Sequence, residues 1–98
     1  MTITEKKDGT NLTLFLAGRL DTLTAPDLDR ALKDALPGVT DLVFDLAALE
    51  YVSSAGLRVL LSAQKTMTTQ GKMTVVNPNE TVSEIFEVTG FSDILTIG

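Results

Sequence analysis

Apolar and polar positions along the chain follow two different periods, which predict strands and helices in turn. Residues 2–6 and 11–17 have the pattern of extended strands and flank the stretch Lys7-Asp8-Gly9-Thr10. An Asp-Gly pair between two extended runs is a strong hairpin signal. The chain is therefore expected to begin with a β-hairpin whose second strand ends at Gly18-Arg19-Leu20-Asp21.

A first helix is predicted after this hairpin. Thr24 has the residue type of an N-cap, Pro26 suits the first turn, and Asp27 is favoured there by the helix dipole. Pro37-Gly38 stops the pattern. The apolar stripe expected to face the core consists of Ala25, Leu28, Leu32, Ala35 and Leu36.

Further strands are predicted at Leu42–Leu46 and Met73–Val76, and a final short strand or extended segment at Ile94–Ile97. The segment Leu42–Leu46 is apolar on both faces except at Asp45, which is typical of a central strand covered on both sides.

A second helix begins at the stretch Ser53-Ser54-Ala55-Gly56-Leu57. Ser54 is predicted as its N-cap and Gly71 as a left-handed C′ residue. The spacing of three and four places one set of side chains on a common face: Leu57, Leu60, Leu61, Gln64 and Met67.

A third helix is expected to begin at Asn77-Pro78-Asn79-Glu80. In this prediction Asn77 is the cap, Glu80 completes a capping-box pattern, and Gly90 ends the helix. The inner face would carry Val82, Ile85, Phe86 and Thr89.

This order of elements predicts an α/β fold. We expect one domain over residues 1–98, with a mainly parallel sheet of four to five strands, the N-terminal hairpin and three to four helices. Functional loops of parallel sheets lie at the carboxyl ends of strands. Asp21, the turn 47–53 and Ser54 all follow strand ends and are expected to share one rim, although Asp21 and Asp45 each also suit a purely structural role, as turn former and strand-end residue.

Composition excludes several classes of function. The 98 residues include no cysteine and no histidine, so disulfides, thiolate chemistry and the usual neutral-pH general base are absent. A net charge of −5 argues against nucleic-acid binding, and no stretch resembles a targeting signal or a membrane span. The chain is expected to be cytoplasmic, with no metal and no cofactor.

Two interpretations of Ser54 follow from its position alone. Its hydroxyl could cap the helix, which contributes about 1 kcal/mol. Alternatively it is a phosphorylation site, because a helix N-terminus offers free N–H groups and a positive dipole end to a phosphate. Spacing alone favours the cap.

Four blocks, in register over essentially the whole chain, resemble the STAS domain and most closely its bacterial anti-sigma factor antagonists. The blocks are Gly18-x-Leu20-Asp21-x-x-x-Ala25, Leu42–Leu46, Tyr51–Leu57 and Phe86-x-x-x-Gly90-x-x-x-Ile94. The resemblance changes the preferred interpretation of Ser54 from a cap to a switch residue.

The resemblance implies a partner-switching mechanism. An unmodified antagonist of this family binds an anti-sigma factor that is also a serine kinase, and thereby frees a sigma factor. The kinase then phosphorylates the antagonist, which weakens the complex, and a phosphatase reverses the modification. The implied phosphorylated residue here is Ser54, with Ser53 as a minor candidate. The implied partner-binding residues are Asp21, Ser53, Ser54, Ala55, Gly56 and Arg58.

Ser53 departs from the family pattern, in which an Asp commonly precedes the phosphorylated hydroxyl. A neighbouring hydroxyl therefore replaces a charge, and the contact with the kinase is expected to differ. Gly56 has two interpretations: it could give a kinase access to Ser54, or it could allow close packing near the helix end.

The sequence does not resemble an enzyme. It lacks the histidine of a serine triad, a G-x-S-x-G elbow around Ser54 and a phosphate-binding loop. Two other non-enzymatic functions remain open: a cytoplasmic STAS subunit or regulator of a membrane transporter, without a phosphorylation switch, and a nucleotide-sensing domain, for which no glycine-rich cradle is visible.

Overall fold

A computed structural model describes residues 1–98 and confirms the N-terminal hairpin. Strands β1 (Thr2–Asp8) and β2 (Asn11–Leu20) pair antiparallel around a tight turn. Gly9 adopts a φ of 61° in this turn, a left-handed conformation that glycine reaches without steric cost.

The predicted mainly parallel sheet is also confirmed, with four strands in the order β1-β2-β3-β4. Strand β3 (Asp41–Val52) runs parallel to both β2 and β4 (Lys72–Val76). It is twelve residues long and includes residues 47–52, so most of the predicted turn 47–53 is strand. The pairing of β2 with β3 shifts register twice, and these irregularities let the strand continue where its alternation of apolar and polar residues is lost.

Four helices connect and follow the strands: α1 (Ala25–Ala35), α2 (Ser54–Gln70), α3 (Glu80–Thr89) and α4 (Phe91–Ile94). This number agrees with the predicted three to four. None of the four has the length and apolar character needed to span a membrane.

The sheet is covered by helices on one face only, so the prediction of a doubly covered central strand was wrong. Burial alternates along β3, where Phe44 is buried while Val43 and Asp45 are only partly so. Phe15 of β2, which is paired with Asp45 of β3, is exposed. A single apolar cluster joins the helices to the buried face of the sheet, which consists of Leu12, Leu14, Leu16, Leu42, Phe44, Leu46, Met73 and Val75.

The third helix starts two residues later than predicted. Its N-cap is Asn79, whose side chain accepts a hydrogen bond from the backbone N–H of Val82 at 2.8 Å. Asn77 instead has a φ of 58° and places its amide 3.4 Å from the Asp45 carboxylate. Val82 and Phe86 are buried as expected, but Thr89 is exposed and therefore does not belong to the inner face.

Gly71 ends α2, but not in the predicted left-handed conformation. Its φ of 170° is extended, and a Cβ atom on this residue would lie 1.9 Å from the carbonyl oxygen of Thr40. Close approach of two backbones therefore requires glycine here. Gly90 does adopt the left-handed conformation, at φ 79°.

The C-terminal segment takes the second predicted form, an extended segment packed on the core: Leu95 is extended and buried in the apolar cluster. Ile94 belongs to the short helix α4, and only Ile97 pairs with the sheet, through a single parallel bridge to Val75. The backbone N–H of Val75 donates to Thr96, and that of Gly98 donates to Val75. The segment thus covers part of the free edge of β4.

Candidate functional site

The carboxyl ends of β2 and β3 lie side by side and bring two loops of the chain together. Leu20 is paired with Val52, and the backbone N–H of Ser53 donates to the carbonyl oxygen of Leu20 at 2.8 Å. The loop after β2 and the start of α2 therefore form one surface, which we call the rim (residues 21–24 and 53–58). The prediction that Asp21 and Ser54 share a rim is confirmed.

The N-cap of α2 is Ser53, so the prediction that Ser54 caps this helix was wrong. Ser53 has an extended backbone, and its hydroxyl accepts a hydrogen bond from the backbone N–H of Gly56 at 3.4 Å. Pairing of β3 with β2 extends as far as Val52, which leaves Ser53 as the first residue free to take the cap conformation.

Ser54 is the first residue of α2, and its side chain is exposed. Its hydroxyl forms no hydrogen bond within the chain, since the capping bond is made by Ser53. The first turn of α2 contains no acidic residue. A nucleophilic oxygen is therefore open to solvent beside the positive end of a seventeen-residue helix.

The loop after β2 is held rigidly by Asp21 and Thr24. The Asp21 carboxylate accepts hydrogen bonds from the backbone N–H groups of Leu23 and Thr24, at 3.0 and 3.2 Å. The Thr24 hydroxyl accepts from the N–H of Asp21 and donates to the carbonyl oxygen of Arg19, both at 2.8 Å. Thr24 occupies the predicted cap position of α1, but its hydroxyl points back into the loop and does not cap the helix.

These contacts favour the ionised form of the Asp21 carboxyl. Desolvation acts to raise the pKa of the Asp21 carboxyl, but the hydrogen bonds from Thr24 and Leu23, together with the nearby charge of Arg19, outweigh it and lower the pKa. The Arg19 guanidinium lies 4.5 Å from the centre of the Tyr51 ring. The rim therefore presents a fixed negative charge at neutral pH.

Leu23 is a rim residue that the sequence analysis did not single out. Its side chain is 85% exposed, at the tip of the loop that Asp21 closes. An apolar residue between two threonines, off the period of both neighbouring elements, is the sequence signal that could have identified it.

A shallow groove runs from the rim between α1 and α2. Arg58 and Ala55, both singled out from the sequence, line it together with Thr22, Pro26 and Asp29. Arg58 is exposed and forms no ion pair, whereas Asp29 pairs with Lys33 at 3.0 Å. The groove thus carries an unpaired cation one helical turn from Ser54.

Gly56 faces the core. It is buried, and a Cβ atom there would lie 2.6 Å from Cγ of Leu20 and 2.9 Å from Cγ2 of Val52. These contacts support the close-packing interpretation, because the missing side chain makes room for the ends of β2 and β3. Glycine here lets the first turn of α2 approach the sheet.

No group of three or more carboxylate, imidazole or thiol side chains lies close enough together to hold a metal ion. The rim presents four groups to solvent: the Ser54 hydroxyl, the Asp21 carboxylate, the Arg58 guanidinium and the Leu23 side chain.

Comparison with known proteins gives the family. The STAS domain model matches residues 2–98. The anti-sigma-B factor antagonist of Listeria monocytogenes is 31% identical over 96 residues, which cover 95% of this chain and 83% of that protein.

Solved structures show the same fold. An anti-sigma factor antagonist from Mycobacterium paratuberculosis superposes with a TM-score of 0.88 at 23% identity, covering 98% of this chain and 83% of that one. The Bacillus cell fate determinant SpoIIAA in its phosphorylated form gives a TM-score of 0.76 at 17% identity, with 99% and 91% covered. The chain therefore belongs to the STAS domain family and, within it, to the anti-sigma factor antagonists, which are regulatory binding proteins and not enzymes.

Proposed function

We propose that this chain is a cytoplasmic partner-switching protein whose Ser54 is the switch. Unmodified, it binds an anti-sigma factor that is a serine kinase, and so releases a sigma factor for transcription. Phosphorylation of Ser54 weakens this complex, and a phosphatase restores it. The observation that carries the proposal is the exposed Ser54 hydroxyl, free of any capping bond, on a rim shared with Asp21.

The chain contributes only the acceptor to the chemistry. The Ser54 oxygen attacks the γ-phosphorus of ATP, a new O–P bond forms, the bond to ADP breaks, and the hydroxyl proton passes to a base of the kinase. Magnesium, nucleotide and base all belong to the partner. Ser53 is the poorer acceptor, because its oxygen is partly buried and bonded to the N–H of Gly56.

The folded domain is expected to tolerate the phosphate. Residues at the start of a helix have backbone N–H groups without intrahelical partners, and these favour an anion. No acidic side chain lies in the first turn of α2 to oppose it. That a protein of this fold has been solved in a phosphorylated form is consistent with this expectation.

The complex with the kinase is expected to be weakened. A phosphate adds about −1.5 to −2 charge at pH 7 to an interface that already presents the ionised Asp21. A tenfold loss of affinity requires only about 1.4 kcal/mol, which the desolvation and repulsion of one phosphate supply.

The proposal is tested by incubating the chain with a candidate anti-sigma kinase and Mg-ATP and locating the product by mass spectrometry. One phosphate on Ser54 is expected, and none on Ser54→Ala, while Ser53→Ala is still modified. Modification at Ser53 alone would contradict the assignment. Association with a permease in place of such a kinase would favour the transporter-regulator alternative.

A further inference from the structure

Arg58 is an exposed cation of α2 that forms no ion pair and no side-chain hydrogen bond. Three other basic side chains do have carboxylate partners: Arg30 with Asp27, Lys33 with Asp29, and Lys72 with Asp41. Arg58 therefore remains available for an anion that the unmodified chain does not contain.

The position of Arg58 on the helix determines which anion it can reach. Ser54 and Arg58 are residues i and i+4 of α2, so their side chains are neighbours on one face. Side chains of an α-helix lean toward its N-terminus, which directs Arg58 over the turn that holds Ser54. An anion N-terminal to a cation is the more favourable order for such a pair.

We propose that Arg58 binds the phosphate of phosphorylated Ser54 within the same chain. The planar guanidinium presents paired N–H donors that match two phosphate oxygens. This inference rests on the proposed function and extends it. Modification would add an anion to the rim and also remove a free cation from the groove that the partner is proposed to contact.

The other charged groups around the groove do not compete strongly for Arg58. Asp29 faces it from α1 but pairs with Lys33 at 3.0 Å. Asp21 accepts its hydrogen bonds from Leu23 and Thr24. Arg19, the other cation of this region, lies over the Tyr51 ring.

The test uses the full chain with phosphoserine incorporated at position 54 during translation, so that no kinase is needed. The pKa of the second phosphate ionisation is measured by ³¹P NMR in four proteins that all carry this phosphoserine. These are the otherwise unchanged chain, Arg58→Gln, Arg58→Lys and Lys65→Gln. Lys65 is the matched control, since it is an exposed cation of the same helix that lies about 16 Å along the helix axis from Ser54, against about 6 Å for Arg58.

Arg58→Gln is expected to raise that pKa by roughly 0.15 to 0.4, as loss of an i,i+4 ion pair would. Arg58→Lys should raise it less, and Lys65→Gln by less than about 0.1, because its charge is screened by salt over that distance. Equal shifts for Arg58→Gln and Lys65→Gln would overturn the inference. That result would contradict the pairing of Arg58 with the phosphate but not the proposed function. Absence of Ser54 phosphorylation by a candidate kinase would contradict the proposed function but not the pairing.

A second readout reports the contact directly. In the phosphorylated chain labelled with ¹⁵N, the Arg58 side-chain N–H signals should move as the phosphate loses its second proton. The corresponding signals of Arg30, which pairs with Asp27, should not. Arg58 signals that do not respond to the phosphate would contradict the pairing.

Discussion

The Ser53 hydroxyl accepts a hydrogen bond from the backbone N–H of Gly56 at 3.4 Å, and this contact caps α2. Because Ser53 makes the cap, the adjacent Ser54 hydroxyl is not needed for the helix start and remains exposed. Two neighbouring serines thus have separate roles: one stabilises the fold, and the other is free for the proposed modification.

This division predicts different stabilities for the two alanine variants. Ser53→Ala is expected to lower the free energy of unfolding by about 0.5 to 1 kcal/mol, because it removes the cap. Ser54→Ala should change it by less than about 0.5 kcal/mol, as is usual for an exposed position without contacts. Urea unfolding followed by circular dichroism measures both, and a larger loss for Ser54→Ala would contradict the assignment of the cap.

The contact between Gly71 and Thr40 predicts a second pair of variants. Gly71→Ala would place Cβ 1.9 Å from a backbone oxygen that cannot rotate away, so a loss of about 3 kcal/mol or more is expected. Gly38 is the control, since its Cβ would meet no atom and only its φ of 81° is unfavourable. Gly38→Ala should cost about 1 kcal/mol. Similar midpoints of thermal unfolding for the two variants would show that the backbones do not approach so closely.

Much of the fold could be predicted from local patterns, whereas the positions decided by tertiary pairing could not. The hairpin could be predicted because Asp8-Gly9 lies between two extended runs. The cap of α2 was misplaced by one residue because Ser53 and Ser54 are equally good caps, and only the pairing of Leu20 with Val52 decides between them.

The same reason explains the other differences. Asn77 and Asn79 are both good caps, and tertiary contacts separate them: the Asn79 amide donates to the carbonyl oxygen of Leu49 at 3.0 Å, whereas the Asn77 amide faces the Asp45 carboxylate. The open face of the sheet was missed because Val43 is apolar yet lies on the uncovered side. At the rim, Ser54 and Asp21 were identifiable from the sequence, but the exposure of Leu23 depends on the loop geometry.

The exposure of Leu23 predicts that this side chain contributes to partner binding. A large apolar side chain held on the rigid loop of the rim is expected to enter a pocket of the proposed kinase, and Leu23→Ser should weaken the complex about tenfold or more. The matched control is Val88→Ser, because Val88 is 77% exposed but lies on the last turn of α3, outside the rim. Isothermal titration calorimetry compares them, and equal effects of the two substitutions would contradict a role for Leu23.

The lowered pKa of Asp21 predicts a pH dependence of stability. The Asp21 carboxyl has its ordinary pKa, near 3.8, in the unfolded chain and a lower pKa in the folded chain. The stability that the ionised carboxylate contributes is therefore fully present above the pKa of the unfolded chain. It is lost as the pH falls through the lower pKa of the folded chain. Asp21→Asn keeps an oxygen acceptor but not the charge.

The difference in unfolding free energy between the original chain and Asp21→Asn should therefore be larger at pH 7 than at pH 3. Chemical denaturation at both values measures it. A difference that is constant across this range would show that the Asp21 charge does not stabilise the loop.

The central claim is that a phosphate on Ser54 changes which protein this chain binds. Its most direct test is the dissociation constant for the anti-sigma kinase, measured with the unmodified chain and with the chain carrying phosphoserine at position 54. We expect the phosphorylated form to bind at least about tenfold more weakly while retaining the same circular dichroism spectrum. Equal affinity of the two folded forms would contradict the claim.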